Sequence, residues 1–298
     1  MALGILAIGG YLPKARLQRT DIANANAWFN PALKGLANGE RTMANWDEDS
    51  VTMAVEAGRD CLIGIDRNIV VGIYMASTSF PFQDRQNAGI VADALNLSTR
   101  IQTLDISSSQ RAGSSALLTA LLSVHSAEGP ILVSASEKRR ARAASPLELT
   151  TGDGAAAVLV GEGEPIAHYI GGHTEAVDFV DHYRGEGEAF DYNWEERWVR
   201  DEGYMKIAPN AINNLLDKVG VSAQDIDTFC FPVAMRRVAS SLARKIGIAE
   251  EPVADNLQSS CGETCSAHAL VLLVHALEQA KPGEKILVAG FGQGCDVL

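Results

Sequence analysis

The sequence lacks any long apolar run and any excess of positive charge. Its 298 residues include 25 Lys and Arg against 37 Asp and Glu, which gives a formal net charge of -12. This balance excludes a broad basic surface for nucleic acid or for an anionic membrane. Without a run of about 18 apolar residues, no membrane-spanning helix is expected. The hydrophobic fraction of 47% is enough for a globular core in one large domain or two medium ones.

Cysteine is scarce, and its number is odd. The five cysteines stand mostly within apolar stretches, which favours reduced thiols over a disulfide framework. Cys261 and Cys265 could form one half of a metal site, but no second Cys/His pair with ligand spacing accompanies them, so no metal site is predicted. The first residues carry neither a basic segment nor a small-residue cleavage site, so they are interpreted as a strand and the chain is expected in the cytoplasm.

The periodicity of the sequence predicts an α/β protein. Short apolar runs, such as residues 4–8 and 131–135, alternate with stretches of helical period, such as residues 51–62 and 113–125. This alternation is typical of domains in which helices pack in layers on sheets.

An internal repeat divides the chain into two halves. The segment SSSQRAGSSALLTALLSV matches QSSCGETCSAHALVLLVHAL at an offset of 153 residues, which pairs Gln110 with Glu263. Each copy has a turn of small and polar residues, an apolar helix and then a strand, and such a repeat indicates a duplication. We predict an N-terminal half over residues 1–164 and a C-terminal half over residues 165–298. The small residues leave the backbone N–H groups of both helix starts open to a ligand, so both starts are expected to face one pocket.

These motifs resemble the thiolase superfamily of thiolases, type III ketoacyl synthases and hydroxymethylglutaryl-CoA synthases. DISSSQRAGSSAL is similar to the strand, turn and helix that carry the nucleophilic Cys, GDGAAAVLVG to the Gly-Asp-Gly strand, and CGETCSAHA to the Gly-Asn-Thr helix start. The resemblance covers essentially the whole chain. It implies a thiolase fold with two pseudo-symmetric halves in five layers (αβαβα), in which the helices after Gln110 and Glu263 pack at the centre.

Within the superfamily, the chain looks like bacterial and archaeal hydroxymethylglutaryl-CoA synthase-like proteins that accompany a zinc-ribbon/OB-fold (DUF35-type) module. DEDSVTMAVEA, ASTSFPFQDRQNA and SSQRAGSSAL carry this resemblance. Because the sequence ends directly after GFGQGCDVL, the module is expected as a separate small subunit. The resemblance also implies a homo- or heterodimer with a thiolase-fold subunit, with the helix at 113–125 and the strand at 131–135 in or beside the interface.

The residues that carry the chemistry of the superfamily are replaced. Gln110 stands at the position of the nucleophilic Cys, and a carboxamide cannot be acylated as a thiolate can. In the segment that resembles His-Gln-x-Asn-x-Arg, Phe231 or Pro232 replaces the His. Glu263 replaces the Asn of the oxyanion hole, and an ionised carboxylate accepts hydrogen bonds rather than donating them. Residues 76–79, where hydroxymethylglutaryl-CoA synthases carry a general-acid glutamate, contain no carboxylate.

Several residues keep other chemistry open. In an apolar pocket Glu263 would have a raised pKa and act as a general acid or base, or it is a solvated or salt-bridged carboxylate at a helix start. Cys261 is either a displaced nucleophile or a small buried residue. Arg111, Arg236 and Arg237 bind either the anionic parts of a CoA thioester or neighbouring carboxylates.

We therefore predict a thiolase-fold subunit of an acyl-CoA carbon–carbon bond-forming or bond-cleaving complex, either non-catalytic or chemically repurposed. Its partners are expected to be an active homologue, a DUF35-type subunit or both. The expected ligand is a CoA thioester, with no other cofactor. The alternative is an autonomous enzyme that condenses or cleaves acyl-CoA thioesters with Glu263 or a displaced cysteine. The candidate catalytic positions are Gln110, Glu263 and Cys261.

Overall fold

A computed structural model describes residues 2–298. Fourteen β-strands lie within these residues: β1 (Ala2–Tyr11), β2 (Ala15–Gln18), β3 (Glu40–Met43), β4 (Gly72–Ala76), β5 (Gln102–Ile106), β6 (Ile131–Glu137), β7 (Gly154–Gly163), β8 (Ala167–His168), β9 (His173–Ala176), β10 (His182–Tyr183), β11 (Tyr192–Asn193), β12 (Thr228–Cys230), β13 (Ile286–Phe291) and β14 (Gly294–Val297). Nine α-helices accompany them: α1 (Arg19–Asn26), α2 (Ser50–Cys61), α3 (Asn87–Ala94), α4 (Ala112–Ala127), α5 (Pro146–Thr150), α6 (Glu196–Trp198), α7 (Ile207–Val219), α8 (Val238–Ile246) and α9 (His268–Gln279).

Two sheets of matching topology form the frame. The first has the order β5-β4-β6-β7-β1-β8, in which β4 is parallel to β5 and β6, and β7 is antiparallel to β6 and β1. The second has the order β12-β13-β14-β9, in which β12 and β13 are parallel and β14 is antiparallel to both of its neighbours. A parallel bridge from Phe229 to Val253 continues it where β5 lies in the first sheet. The shared order and directions confirm the predicted pseudo-symmetry.

Three hydrophobic clusters hold five layers together. Met53 of α2 belongs to the cluster on the outer face of the first sheet. Leu117 of α4 and Leu270 of α9 belong to the cluster between the sheets. Ile212 of α7 and Leu242 of α8 belong to the cluster on the outer face of the second sheet. The order of layers is therefore αβαβα, as predicted.

The position of each helix explains its composition. The outer helix α2 begins with a capping box, in which the Asp49 side chain accepts from the Thr52 N–H at 2.8 Å and the Thr52 hydroxyl oxygen accepts from the Asp49 N–H at 2.8 Å. The central helix α9 has no such polar face over its first two turns, whereas α4 exposes Thr119, Leu122 and His125. In α9 all residues from His268 to Val274 are buried, because sheets cover the helix on both sides.

The two central helices begin side by side. Gly113 of α4 and Ser266, in the short 3-10 turn Cys265–Ala267 before α9, are paired by the 153-residue offset of the repeat. A Cβ atom on Gly113 would lie 2.4 Å from the carbonyl oxygen of Ser266 and 3.1 Å from the Cβ of Ala135. Repeat-related positions thus touch one another, which places the pseudo-twofold axis between the two helix starts.

The expected subunit interface, in or beside the helix at 113–125 and the strand at 131–135, stays a prediction. Strand β6, expected at the interface, pairs with β4 on one side and β7 on the other and is buried along its whole length. A strand with both edges paired cannot add a strand from another chain. The outermost strand on that side of the first sheet is β5, where Leu104 is 38% exposed.

The passage between the halves lies near the predicted boundary at residues 164 and 165. Strand β7 ends at Gly163, β8 still pairs with β1 of the first sheet, and β9 belongs to the second sheet. The division at this point therefore stays a prediction. Among residues 2–298, no helix is long and apolar enough to span a membrane.

The tryptophans lie outside the core. Trp28, Trp46, Trp194 and Trp198 are 83%, 89%, 46% and 47% exposed, and they are the only four in the sequence. Trp194 stands 6.0 Å from the ring of Tyr192, on the exposed hairpin of β10 and β11. Large exposed aromatic groups are enriched at protein–protein interfaces.

The contact between the central helices can be tested with two matched substitutions. Gly113→Ala is expected to lower the free energy of unfolding by about 1–3 kcal/mol, because the new methyl group must displace a backbone carbonyl. Gly89→Ala in α3 is the control, since the nearest atom to a Cβ there is the Gln86 side-chain oxygen at 3.6 Å. It should raise stability by up to ~1 kcal/mol through helix propensity. Urea unfolding followed by circular dichroism measures both, and equal effects would contradict the close contact.

Candidate active site

The turn before α4 carries Gln110. The Ser109 hydroxyl fixes this turn by donating to the carbonyl oxygen of Gly292 at 2.8 Å and accepting from the Arg111 N–H at 3.2 Å. Gly292 lies so close that a Cβ there would stand 2.9 Å from the backbone nitrogen of Gln110. Gln110 itself is only partly buried. The position equivalent to the expected nucleophile is therefore well defined, and it presents a carboxamide.

Arg111 points away from any external ligand. Its guanidinium pairs with Asp296 at 2.5 Å and donates to the carbonyl oxygen of Gly292 at 2.9 Å. Asp296 is 1% exposed and also accepts from Ser114 at 3.2 Å and Thr174 at 3.0 Å. Arg111 thus joins the start of α4 to β14, which fits a structural role better than the binding of a substrate anion.

Three of the eight non-glycine residues with positive φ in residues 2–298 lie in the turns that meet here. Ser108, Cys265 and Gln293 have φ angles of 70°, 46° and 52°, in the left-handed region that residues with side chains rarely adopt. They lie in the turn before α4, in the turn before α9 and next to Gly292. Strain of this kind costs roughly 1–3 kcal/mol per residue and clusters at functional sites, so it supports a pocket at this junction.

Glu263 lies in the turn before α9. Its backbone N–H donates to the carbonyl oxygen of Thr150 at 2.8 Å, and its carbonyl oxygen accepts from the Gly152 N–H at 2.9 Å. Burial raises the pKa of its carboxyl group, although the positive charge of Arg139 and the nearby His182 oppose the shift. Glu263 as a residue is only partly buried, and both interpretations of its role stay predictions. In its acid form the group donates a hydrogen bond, as an Asn amide does.

Arg139 is the charged neighbour that sequence reasoning missed. Its side chain is 5% exposed and forms an ion pair with Asp191, which also pairs with Arg184 at 3.2 Å. The guanidinium lies close enough to the Cys265 thiol and to Glu263 to affect the pKa of both. Arg139 stands in the basic run KRRAR, two residues after the end of β6, and a basic run usually indicates a solvated loop. The only signal in the sequence for the burial of the Arg139 side chain was its position just after a buried strand.

The position expected for the catalytic His belongs to the core. Phe231 is 1% exposed and packs against Phe229 with a ring-centroid distance of 6.1 Å. Its other neighbour is Tyr204, at 5.6 Å, and the charge of Glu263 affects the pKa of that tyrosine. Pro232 is partly buried beside it. Aromatic side chains therefore occupy the place where a general base is expected, close to Glu263.

A carboxylate does reach the end of β4, but it comes from β6. Glu137 is fully buried, and its Oε2 accepts from the backbone N–H of Thr78 at 3.0 Å, from the Thr78 hydroxyl at 2.9 Å and from Ser266 at 2.5 Å. Residues 76–79 contain no acid themselves, so the sequence alone gave no sign of it. Glu137 joins β4, β6 and the start of α9.

The cysteines are closed off from solvent. Cys261 is 1% exposed and Cys265 is 6% exposed, and burial raises their pKa values to about 11 and about 12. Cys61 and Cys230 are also buried, and their pKa values are raised to about 12. Cys295 is buried as well, with a raised pKa. A thiol that ionises only above pH 11 is a poor nucleophile at neutral pH.

His268 is a core residue. Its Nδ1 accepts from the Thr264 N–H at 3.1 Å and its Nε2 donates to the carbonyl oxygen of Asn256 at 3.0 Å. Burial lowers the pKa of His268 to about 4, so the ring is neutral at neutral pH. Both nitrogens are engaged, which leaves none for catalysis.

Arg236 and Arg237 lie at the exposed start of α8. Arg236 donates to the carbonyl oxygen of Gly35 at 3.2 Å, in the turn that follows α1. Neither forms an ion pair with an acidic side chain of the described part of the chain. Both are therefore available to an anion. Arg111 is not, because its guanidinium already pairs with Asp296.

A cleft of about 940 Å³ opens at the ends of β4, β5 and β6. Thr78, Ser107, Lys138 and Arg184 are among its lining residues. Since Thr78 holds Glu137, and Ser107 begins the turn of Gln110, the cleft borders the junction of helix starts.

Solved structures with this architecture define the class. The 3-oxoacyl-(acyl carrier protein) synthase III of Pseudomonas aeruginosa superposes with a TM-score of 0.88 at 21% identity, over 100% of this chain and 97% of that one. A hydroxymethylglutaryl-CoA synthase complexed with CoA superposes with a TM-score of 0.85 at 21% identity, over 100% of this chain and 81% of that one. The predicted thiolase fold is therefore confirmed.

Sequence relatives narrow the class to a family. A model of the 3-oxoacyl-[acyl-carrier-protein] synthase III C terminal matches residues 216–297. The hydroxymethylglutaryl-CoA synthase of Caldivirga maquilingensis is 31% identical over 302 aligned residues, which cover 99% of this chain and 85% of the relative. The chain belongs to the hydroxymethylglutaryl-CoA synthase family of the thiolase superfamily.

Covalent chemistry at the site can be tested directly. The purified chain is expected to gain no acyl group from acetyl-CoA or acetoacetyl-CoA, because Gln110 is no nucleophile and the native thiols stay protonated near pH 8. Intact-mass spectrometry measures this. As a control, Gln110→Cys should take up one iodoacetamide group at pH 8 while the five native cysteines of the folded chain do not. An acetyl adduct on Cys261 or Cys265 would contradict the assignment.

Proposed function

We propose that the chain is a non-catalytic or chemically repurposed subunit of a complex that forms or cleaves carbon–carbon bonds in acyl-CoA thioesters. The observation that carries this proposal is the carboxamide of Gln110 at a well-formed helix start, with every thiol of the chain buried. The starts of α4 and α9 are closely packed and the turn of Gln110 is fixed by hydrogen bonds, while the group that would be acylated is missing. Such a chain contributes binding surface and shape rather than a nucleophile.

The ligand we propose is a CoA thioester, although the thiolase chemistry itself would take place on a partner. The exposed pair Arg236 and Arg237 carries positive charge without an acidic partner, which suits the phosphate groups of CoA. The relative solved with CoA has the same fold over its matched length. Arg111 is not included, because Asp296 already occupies its guanidinium.

The partners we propose are a thiolase-fold subunit and a small zinc-ribbon/OB-fold (DUF35-type) subunit. Strand β5 offers the unpaired edge that a second sheet needs, and Leu104 projects from it with 38% exposure. Phe82, which follows β4, is 40% exposed beside the same cleft. The exposed tryptophans of the hairpin of β10 and β11 add further surface for a partner.

Assembly tests this proposal with two substitutions to Arg. Leu104→Arg is expected to abolish the dimer or the complex, because it places a charge in a buried strand-to-strand contact. Ile63→Arg is the control, since Ile63 is 74% exposed in the turn after α2, outside the helix and the strand expected at the interface. Size-exclusion chromatography with light scattering, with and without co-expressed partner subunits, measures both. A wild-type chain that stays a folded monomer with every partner would reject the proposal.

A second candidate is an autonomous enzyme that uses Glu263. The raised pKa of its buried carboxyl group favours this alternative, since an acid can protonate or stabilise an enolate at a helix start. Such an activity should fall as the pH rises through the pKa of Glu263, because the acid form is then lost. An ionised Glu263 carboxylate would repel an enolate. The protonated carboxyl group carries no charge and does not repel it.

Deuterium exchange separates the two candidates. The subunit proposal expects no incorporation of deuterium into the methyl group of acetyl-CoA by the chain alone in D₂O, measured by mass spectrometry. Exchange requires the carboxylate form of Glu263 to take a proton from the methyl group and the deuterated acid form to return a deuteron to the enolate. If Glu263 does both, exchange should exceed the buffer rate and fall by roughly 100-fold in Glu263→Gln, which keeps a hydrogen-bond donor but cannot transfer a proton. Exchange that is equal in the wild type and in Glu263→Gln would exclude Glu263 as its cause.

A further inference from the structure

Arg19 is a buried positive charge without a counter-charge. It is the first residue of α1 and only 6% exposed. Its guanidinium donates one hydrogen bond to the carbonyl oxygen of Gln258, and its Nε is buried without a partner. In residues 2–298 no carboxylate lies within ion-pair distance of it. Burying an unpaired charge costs several kcal/mol, so such a group calls for a compensating anion.

The neighbours of Arg19 increase the positive charge. Burial lowers the pKa of Arg19, and the nearby guanidinium groups of Arg236 and Arg41 lower it further, while the Cys261 thiol has the opposite effect. Arg41 also has a buried Nε without a partner. Three arginines thus come together in a chain whose formal net charge is -12. Their mutual repulsion destabilises the fold unless something negative binds between them.

Gln258 adds unpartnered polar atoms at the same place. Both Nε2 and Oε1 of its side chain are buried without hydrogen bonds. With the Nε atoms of Arg19 and Arg41, four of the ten buried side-chain atoms without a partner in the described residues lie at this one spot. Three of the four are N–H donors. Clustered, unsatisfied donors indicate a ligand that accepts hydrogen bonds.

The acidic residues close by are engaged elsewhere. Glu40 pairs with Arg16 at 3.5 Å and accepts from Gln18 at 2.5 Å. Asp255 accepts from the backbone N–H of Leu257 at 3.0 Å. Neither neutralises Arg19, so the positive charge of the cluster is not offset from within the chain.

We propose that Arg19, Arg41 and Gln258 bind an oxyanion of the phosphate class, with Arg236 at the exposed side of the site. Guanidinium groups present paired N–H donors that match the oxygen atoms of a phosphate, and the amide of Gln258 supplies another donor. The phosphate comes either from free phosphate or from a phosphate group of CoA. Only in the second case does the inference rest on the proposed function.

Thermal melting and titration of the full chain with inorganic phosphate test the site. Phosphate is expected to raise the melting temperature of the wild type but not that of Arg19→Gln. Its dissociation constant should rise by at least about tenfold in Arg19→Gln and Arg41→Gln, since each loses a charged hydrogen-bond donor. Arg100→Gln, at an exposed arginine without an ion pair, is the matched control and should bind as the wild type does. In phosphate-free buffer Arg19→Gln should melt no lower than the wild type, because it removes a buried unpaired charge.

Parallel titrations with CoA and 3′-dephospho-CoA identify the source. If the anion belongs to CoA, the wild type should prefer CoA by at least about tenfold, and Arg19→Gln should lose that preference. Phosphate binding that needs Arg19, without CoA binding, supports the site and rejects the proposed CoA ligand. CoA binding that is equal in the wild type and in Arg19→Gln, without Arg19-dependent phosphate binding, overturns the site and leaves the proposed function standing. Failure of all three probes to bind overturns both.

Discussion

The contact of two helix starts at the centre of the molecule governs the rest of the structure. Helices α4 and α9 lie between two sheets, and each must start where the other leaves room. Gly113 meets this requirement, because a Cβ there would lie 2.4 Å from the carbonyl oxygen of Ser266. The same closeness brings the turns that carry Gln110 and Glu263 together, and the cleft at the ends of β4, β5 and β6 lies beside them.

Much of the fold was predictable because it is repeated. One copy of a turn, an apolar helix and a strand gives a weak signal, but two copies 153 residues apart support each other and indicate two similar halves, while the five layers were implied by the resemblance to the thiolase superfamily. Pairing of strands was not predictable in the same way. Strand β6 begins with an apolar run and β5 mixes polar and apolar residues, but neither pattern names a neighbouring strand, and only the order β5-β4-β6 shows that β5 has the free edge. That order is set by crossover connections, which leave no local trace in the residues.

The candidate site was predictable in position but not in its electrostatics. The sequence correctly indicated the turns of Gln110 and Glu263, since small residues before a helix are visible in any reading. It could not show that Arg139 forms an ion pair with Asp191 of the hairpin of β10 and β11, or that Glu137 accepts a hydrogen bond from Thr78. These contacts join residues from separate elements, and the burial that raises the pKa of Glu263 depends on all of them together. For the same reason Arg111 looked like an anion-binding residue until its partner in β14 was located.

The placement of the tryptophans has an optical consequence. No indole ring lies in any of the four hydrophobic clusters of residues 2–298, and all four tryptophans are close to half exposed or more. Intrinsic fluorescence of this chain therefore reports its outer surface rather than its interior. Trp194 directly follows the hairpin of β10 and β11, and Trp198 ends α6. Trp28 stands at the end of α1, and Trp46 lines the cleft. The chain thus carries intrinsic fluorophores at separate places on its surface. The emission of each tryptophan is expected to change when another molecule covers it.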